Sequence, residues 1–341
     1  MLRETLRKAA EGESLTEGEA ERALETIMEG SAPPAATAAL LTALRVKGEA
    51  VSEIVGFARA MRRFAEKVEA PENVVDTCGT GGDAKGTINV STAAAFVARG
   101  AGVVVAKHGN RAATSQAGSA DVLEALGAEI DLEPDQVSRC IAEAGIGFMF
   151  ARTHHPAMRF VAPVRAELPF RTVFNLLGPL TNPAGARRQL VGVFGGAYVR
   201  PVAEALRDLG AEKALVVHGT DGMDEITVSG KTLVADVSDG TIGEYEISPE
   251  DFGLLRHVPD GLLGGDAHLN ARILRDILTG RETGAARDVV LLNAGAAIHV
   301  SGKARTIEEG VGLAGESIGD GSAAKALEDF VRTTRRLSGT V

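Results

Sequence analysis

Tryptophan is missing from the 341 residues, and aromatic side chains make up only 4% of them. The core must therefore be assembled from alanine, valine, leucine and isoleucine. Cysteine is scarce as well. Cys78 and Cys140 are the two present, and isolated thiols supply neither a disulfide framework nor zinc-finger spacing, which fits a reducing cytosol. Cys78 lies in a glycine loop with no accompanying base motif, so a small residue tolerated in a tight turn is preferred over a nucleophile. Positive charge is in deficit, with a formal net charge of −10 at pH 7. Phosphate-backbone binding wants a broad basic face, which argues against nucleic acid as the main partner but leaves room for a small anion held by local cations. Long hydrophobic runs are absent too. The longest, Val289 to Val300, includes Asn293 and His299 and is too short to span a bilayer. Met1-Leu2-Arg3-Glu4 opens a charged segment, not the apolar core of a signal peptide. The expectation is a soluble cytoplasmic protein of about two domains.

Residues 1 to about 70 read as helical throughout. Thr16-Glu17-Gly18-Glu19 fits a capping box, and Ala23, Leu24, Ile27 and Met28 then fall on one helical face. Pro33-Pro34 suits the first turn of a second helix, and a third is expected from about Ser52 to Val68. After Pro71 the pattern changes. Val74-Val75, Val103 to Ala106, Leu190 to Phe194 and Ala214 to Val217 are short apolar runs separated by helix-like stretches. Strands alternating with helices imply an α/β layer with a mainly parallel central sheet. Glu225 to Val228, Thr232 to Ala235 and Glu244 to Ile247 look like shorter meandering strands. Ala162 to Leu180 is again helix-like. The predicted division is a helical domain over 1–72, joined by a segment returning near 165–185, and an α/β domain over 73–341.

The glycine loop Gly79-Thr80-Gly81-Gly82 runs from an expected strand into an expected helix. Bare backbone amides can converge on phosphate oxygens there, and the helix N-terminus adds a favourable dipole. Asn89, Ser91 and Thr92 would crown that helix, capping its amides or binding a second phosphate. The spacing matches neither a Walker loop nor a dinucleotide fingerprint. A second polar loop follows the next apolar run and carries Lys107, His108, Asn110, Arg111 and Ser115, with Ser119 expected to cap the helix after it. Loops after parallel strands share the carboxyl edge of the sheet, so the two loops would face one another. Asp224-Glu225, at a loop-to-strand junction, could hold a hard divalent cation bridging to a phosphate.

The segments "GTGGD" (79–83), "NVST" (89–92), "KHGNRAATSQAGSADVLEALG" (107–127), "HPAM" (155–158), "FNLLGPLTNPA" (174–184) and "DGMDE" (221–225) together resemble the anthranilate phosphoribosyltransferases. The resemblance spans nearly the whole chain in the family's order. It implies a helical domain joined to a larger α/β domain, a homodimer through the N-terminal helices, and a place in tryptophan biosynthesis. It implies that Gly79, Gly82, Asp83, Thr87, Asn89, Val90, Ser91 and Thr92 contact phosphoribosyl pyrophosphate. Lys107, His108, Gly109, Asn110, Arg111, Ala112, Ala113, Thr114, Ser115 and Ser119 would complete that pocket. Ser91, Asp224 and Glu225 would hold Mg²⁺, and Gly79, Asn110 and Arg165 would contact anthranilate. Arg165 suits that role because its planar fork grips a carboxylate bidentately. His108 and Pro179 would line the anthranilate approach, while His155 is read equally as the start of a helix. No residue is assigned as catalytic acid or base. The chain departs from the family pattern at 151–154, Ala-Arg-Thr-His, and at Gln116. The nearest rival is a pyrimidine nucleoside phosphorylase, which shares the architecture but lacks the Asn-Arg pairing after Lys-His-Gly and the Asp-Glu pair. A non-enzymatic nucleic-acid-binding relative is a further alternative, disfavoured by the acidic charge.

Overall fold

The computed structural model describes residues 2–81, 85–112 and 116–339. Four helices come first: α1 (Leu2–Ala10), α2 (Glu17–Met28), α3 (Pro34–Lys47) and α4 (Val51–Phe64). The capping box forms as expected, with Glu19 N–H donating to Thr16 Oγ1 at 3.3 Å and Thr16 N–H donating to the Glu19 carboxylate at 2.9 Å. Pro34 sits in the first turn of α3, where its missing N–H leaves nothing unpaired. Helix α4 ends at Phe64, short of the expected Val68, because amides beyond it find tertiary partners. Glu66 N–H donates to the His154 carbonyl at 2.9 Å and Val68 N–H to the Pro183 carbonyl at 3.2 Å.

The rest of the chain alternates strands and helices: β1 (Val75–Gly79), α5 (Val90–Gly100), β2 (Val105–Gly109), α6 (Ser119–Ala125), α7 (Pro134–Ala144) and β3 (Ile146–Phe150). Next come α8 (Ala151–His154), α9 (Ala162–Ala166), α10 (Phe174–Leu177), β4 (Arg188–Gly192), α11 (Val199–Asp208), β5 (Lys213–Gly219), β6 (Thr232–Ser238) and β7 (Thr241–Ile247). Helices α12 (Ala267–Leu278), α13 (Ala285–Ser301), α14 (Ile307–Gly319) and α15 (Ser322–Ser338) close the chain. The sheet has the order β3-β2-β1-β4-β5-β6-β7, parallel from β3 to β5 and antiparallel at β6 and β7. A small helical region plus an α/β region with a mainly parallel sheet is thus the architecture found.

Two local expectations fail for physical reasons. Glu225 to Val228 form no strand, because the peptide of Ile226 pairs with the side chain of Asn293 instead of with a neighbouring strand. Ala162 to Leu180 is not one helix but two short ones and a final 3₁₀ turn, interrupted where Pro169 can neither donate nor let its predecessor stay helical.

Both faces of the sheet are covered over its parallel strands β1 to β5, which are almost wholly buried, whereas the edge strand β7 is mostly exposed. On β5, Ala214 and Val216 pack into the layer shared with α2, α4, α9, α10 and α11, whereas Leu215 and Val217 pack into the layer of α5, α7 and α12 to α15. From β1 the chain steps to β2 and β3 on one side, then returns to place β4 and β5 on the other. This reversal between β1 and β4 opens a crevice at their carboxyl ends, the place where such sheets bind ligands.

Candidate active site

Gly79 and Gly192 are paired in register at the carboxyl ends of β1 and β4. Both leave space for one residue. A methyl group on Gly79 would lie 2.5 Å from Asp224 Oδ2, and one on Gly192 would lie 1.5 Å from the Asp224 carbonyl oxygen. Asp224 therefore sits directly on the switch point, with Gly81 N–H donating to its Oδ2 at 2.7 Å. Gly81 takes φ 70°, a left-handed turn that glycine adopts without strain. Thr80 fastens the turn to β4: its N–H donates to the Gly192 carbonyl at 2.8 Å, and its hydroxyl accepts the Phe194 N–H at 3.0 Å.

The second loop reaches the same point through Lys107, which is 3% exposed. Its ammonium donates to the Thr77 carbonyl and, at 3.2 Å, to Ser91 Oγ. Ser91 N–H donates to Glu225 Oε1 at 3.2 Å. The Thr77 hydroxyl donates to the Ser91 carbonyl at 3.0 Å, seating the start of α5 on β1. Gly79, Ser91, Lys107, Asp224 and Glu225 thus converge. Three segments distant in sequence present amides, hydroxyls, one ammonium and two carboxylates at a helix N-terminus.

Asn89 does not cap α5 as expected, for its side chain makes no capping bond. It donates to the Ala117 carbonyl at 3.2 Å and accepts from Asn270 at 2.9 Å, tying the helix start to the second loop. Val90 and Thr92 are buried, and the Thr92 hydroxyl finds no partner among the described residues. Thr87 forms an isolated bridge with Leu263. Ser119 is not the cap of α6 either. Gly118 holds that position, and the Asp121 carboxylate takes the Gly118 and Ala112 N–H groups at 2.8 and 3.0 Å. The Ser119 hydroxyl instead donates to the Asn110 carbonyl at 3.2 Å, close against Gly109. Arg111 turns to Asp121 and Glu124, at 2.9 and 2.8 Å, beside a cavity of about 420 Å³ lined also by Phe150 and Arg152. Gly82, Asp83, Ala113, Thr114 and Ser115 lie outside the described residues.

On the other side of the crevice, His108 is buried and its Nδ1 lies 3.1 Å from the Gly178 carbonyl. Burial, then the neighbouring His155, holds its pKa well below the ordinary histidine value. The His155 ring packs 5.0 Å from that of His108, precedes the 3₁₀ turn Pro156–Phe160, and is pushed down to about 4 chiefly by burial. Both rings are neutral at pH 7. Arg165, on α9, lies 5.4 Å over the Phe174 ring. Burial lowers its pKa from the usual guanidinium value, yet an arginine stays charged. Beneath the loops, Asp76 is fully buried and accepts from Asn182 at 2.7 Å and from His108 N–H at 3.1 Å. It joins β1, β2 and the loop after α10. Cys78 is buried beside it, and burial first and Asp76 second push its thiol well up, consistent with an inert residue.

The helical bundle domain of a glycosyl transferase family matches residues 3–65, and the family's a/b domain matches residues 71–324. The anthranilate phosphoribosyltransferase of Rubrobacter xylanophilus is 81% identical over 99% of both chains. The chain belongs to the anthranilate phosphoribosyltransferase family. The enzyme of that name from Azorhizobium caulinodans is 54% identical, over 100% of this chain and 98% of its own. Among solved structures, anthranilate phosphoribosyltransferase from Thermus thermophilus superposes with a TM-score of 0.93 at 48% identity, over 97% of this chain and 99% of its own. The Saccharomyces cerevisiae enzyme in complex with PRPP and Mg superposes with a TM-score of 0.89 at 29% identity, over 98% of each chain.

The donor set at the crevice suits the magnesium that the family implies. Asp224, Glu225 and Ser91 offer oxygen alone, and among the described residues no cluster of three or more histidine, cysteine or acidic side chains forms a closed metal cage. Mg²⁺ is commonly held by one or two carboxylates with substrate phosphates and water completing its shell. Four positions escape the sequence reading of this anthranilate phosphoribosyltransferase relative: Gly192, Asp76, Asn182 and Asn270. A polar residue inside the apolar run Val74-Val75-Asp76 is the available signal for one of them. Nothing short of the fold marks the others.

Proposed function

We propose that this crevice transfers the 5-phosphoribosyl group from phosphoribosyl pyrophosphate to the amine of anthranilate, releasing pyrophosphate, as a step of tryptophan biosynthesis. The convergence of Gly79, Lys107 and Asp224-Glu225 on the start of α5 carries the reading. Support comes from the family relatives and from yeast neighbours solved with PRPP and Mg and with 4-fluoroanthranilate.

The Gly79 to Gly82 turn with its Gly81 amide, the Ser91 and Thr92 hydroxyls and the Lys107 ammonium grip the diphosphate, with Asn89 fixing the helix start. On this reading His108 to Ser115 and Ser119 complete the phosphoribosyl pyrophosphate pocket together with Gly82, Asp83, Thr87 and Val90. Asp224, Glu225 and Ser91 hold Mg²⁺, which when bound supplies positive charge to the departing diphosphate. Arg165 takes the anthranilate carboxylate as a planar fork, with Asn110 and Gly79 beside it. The arylamine is already neutral at pH 7 and attacks the anomeric carbon from the face opposite the diphosphate, with inversion and an oxocarbenium-like transition state. Neutral His108 adds no positive charge to repel the developing cation. Most of the acceleration comes from alignment and from charge stabilisation of the leaving group.

The same reading makes the protein a cytoplasmic homodimer through its N-terminal helices. It divides the chain into 1–72 with a return near 165–185 and an α/β domain over 73–341. The shared core of α2, α4 and α10 supports the return. Loss of anthranilate fluorescence on mixing with phosphoribosyl pyrophosphate and Mg²⁺ tests the activity. Fluorescence should fall only with all three components present, and a fall without phosphoribosyl pyrophosphate would refute it.

A further inference from the structure

Asn293 lies in the middle of α13, wholly buried among alanine, valine and leucine. A primary amide there is costly unless each of its polar atoms is paired. One donor hydrogen goes to the Val289 carbonyl at 2.8 Å, one turn back on the same helix. The rest of the amide grips a single peptide unit across the core. Oδ1 accepts the Ile226 N–H at 3.0 Å, and Nδ2 donates to the Ile226 carbonyl at 2.8 Å. The side chain stands in for the strand that residues 225–228 lack.

Ile226 directly follows Glu225. On the other flank, Met223 is tied by its N–H to Asp221 Oδ1 at 3.2 Å and by its carbonyl to the Gly219 N–H at 2.9 Å. Asp221 in turn accepts the Thr227 hydroxyl at 2.6 Å. The two carboxylate-bearing residues thus hang between two fixed peptides, one of them fixed from a helix 67 positions away.

We propose that Asn293 is a positioning residue for the metal site: its two-point grip on Ile226 sets the backbone from which Asp224 and Glu225 reach Mg²⁺. This rests on the reading of the crevice as a Mg²⁺–diphosphate site. Partners that orient metal ligands are commonly worth about 10- to 100-fold in metal affinity. An amide that merely stabilised the fold would leave that affinity alone.

The test is direct ion binding. Wild-type protein and Asn293→Leu are titrated with Mn²⁺ in the presence of pyrophosphate, with free ion counted by electron paramagnetic resonance. Melting temperature and the Mg²⁺ dependence of turnover are followed in parallel. The Mn²⁺ dissociation constant should rise about tenfold or more, and added Mg²⁺ should restore much of the turnover. Thr334→Val, which breaks a hydrogen bond to Glu129 N–H on the far helix α15, should lower the melting temperature without moving Mn²⁺ uptake. Should Asn293→Leu fail to fold, Asn293→Ala, which leaves room for water at Ile226, carries the same expectation. Unchanged Mn²⁺ uptake by a folded variant overturns the proposal, as does failure of both variants to fold, since the role is then structural. If the wild type takes up no Mn²⁺, the underlying reading of the site falls instead.

Discussion

A single methyl group at Gly192 should cripple the site without touching any group that contacts substrate. The new carbon would sit 1.5 Å from the Asp224 carbonyl oxygen, where ordinary contact begins near 3.4 Å. The Asp224 backbone must therefore retreat by about 2 Å, and no side-chain rotation relieves a clash with main chain. Overpacking of this kind typically costs about 1–3 kcal/mol, a drop of several degrees in Tm for a protein of this size. Displacements of even ~1 Å in a catalytic arrangement can cost about 10²-fold, so kcat/KM for Gly192→Ala should fall at least that far. Gly79→Ala is the graded comparison. Its methyl would meet the movable carboxylate end of Asp224 at 2.5 Å, so rotation of that carboxylate, at the expense of the Gly81 bond, should spare Tm but raise the Mg²⁺ requirement. The anthranilate fluorescence assay, run across Mg²⁺ concentrations beside thermal melts, reads both. Wild-type kcat/KM in a folded Gly192→Ala protein would refute the placement of Asp224 on the paired glycines.

Three further outcomes follow from the same geometry. Lys107→Met keeps a buried side chain of similar length but removes the ammonium beside Ser91. It should lower kcat/KM for phosphoribosyl pyrophosphate by about 10²-fold or more, while the KM for anthranilate, measured at saturating co-substrate, moves little. Arg165→Lys loses the planar fork and should raise the anthranilate KM about tenfold, with the phosphoribosyl pyrophosphate KM as internal control. The third concerns pH. His155 is held at about 4 in the folded protein against 6.5 for an ordinary histidine, so the unfolded chain takes up the proton first as pH falls. Its contribution to stability is intact above pH 6.5 and is lost between there and about 4, at about 1.4 kcal/mol per pH unit. Urea melts at pH 7 and pH 5 should show wild type losing about 2 kcal/mol more than His155→Asn; equal losses would contradict the burial argument.

Gly79, Ser91, Lys107, Asp224 and Glu225, which the fold brings together, stand out in the sequence by residue type, whereas much of the local structure around them does not. Capping boxes, prolines in first turns and apolar runs are local signals, and they locate α2, α3 and most strands. Strand β2 runs three residues past its apolar run, to Gly109, because Lys107 and His108 are buried despite their polarity, with the Lys107 ammonium held by Thr77 and Ser91 and His108 Nδ1 beside the Gly178 carbonyl. Tertiary partners of that kind leave no periodic trace. The same holds for α4, cut short by bonds to His154 and Pro183, and for 225–228, whose missing neighbour is a side chain from α13. Asn89, Ser119 and Arg111 stand out in the sequence, but Asn89 and Ser119 bond to the second loop instead of capping their own helices, and Arg111 pairs with Asp121 and Glu124 on α6. Residue type exposes a site when chemistry demands unusual residues. Glycines chosen only for clearance, such as Gly192, become visible when the crossing segment is in place.

On the proposed function, one diphosphate is held jointly by the turn after β1, the start of α5, Lys107 and the Asp224-Glu225 pair. A crystal structure with phosphoribosyl pyrophosphate and Mg²⁺ tests it most directly. Density for the diphosphate should lie against the Gly81 amide, Ser91 Oγ and Lys107 Nζ, with the metal on the two carboxylates. Diphosphate density in the cavity beside Arg111 and Arg152, with the crevice between β1 and β4 empty, would contradict it.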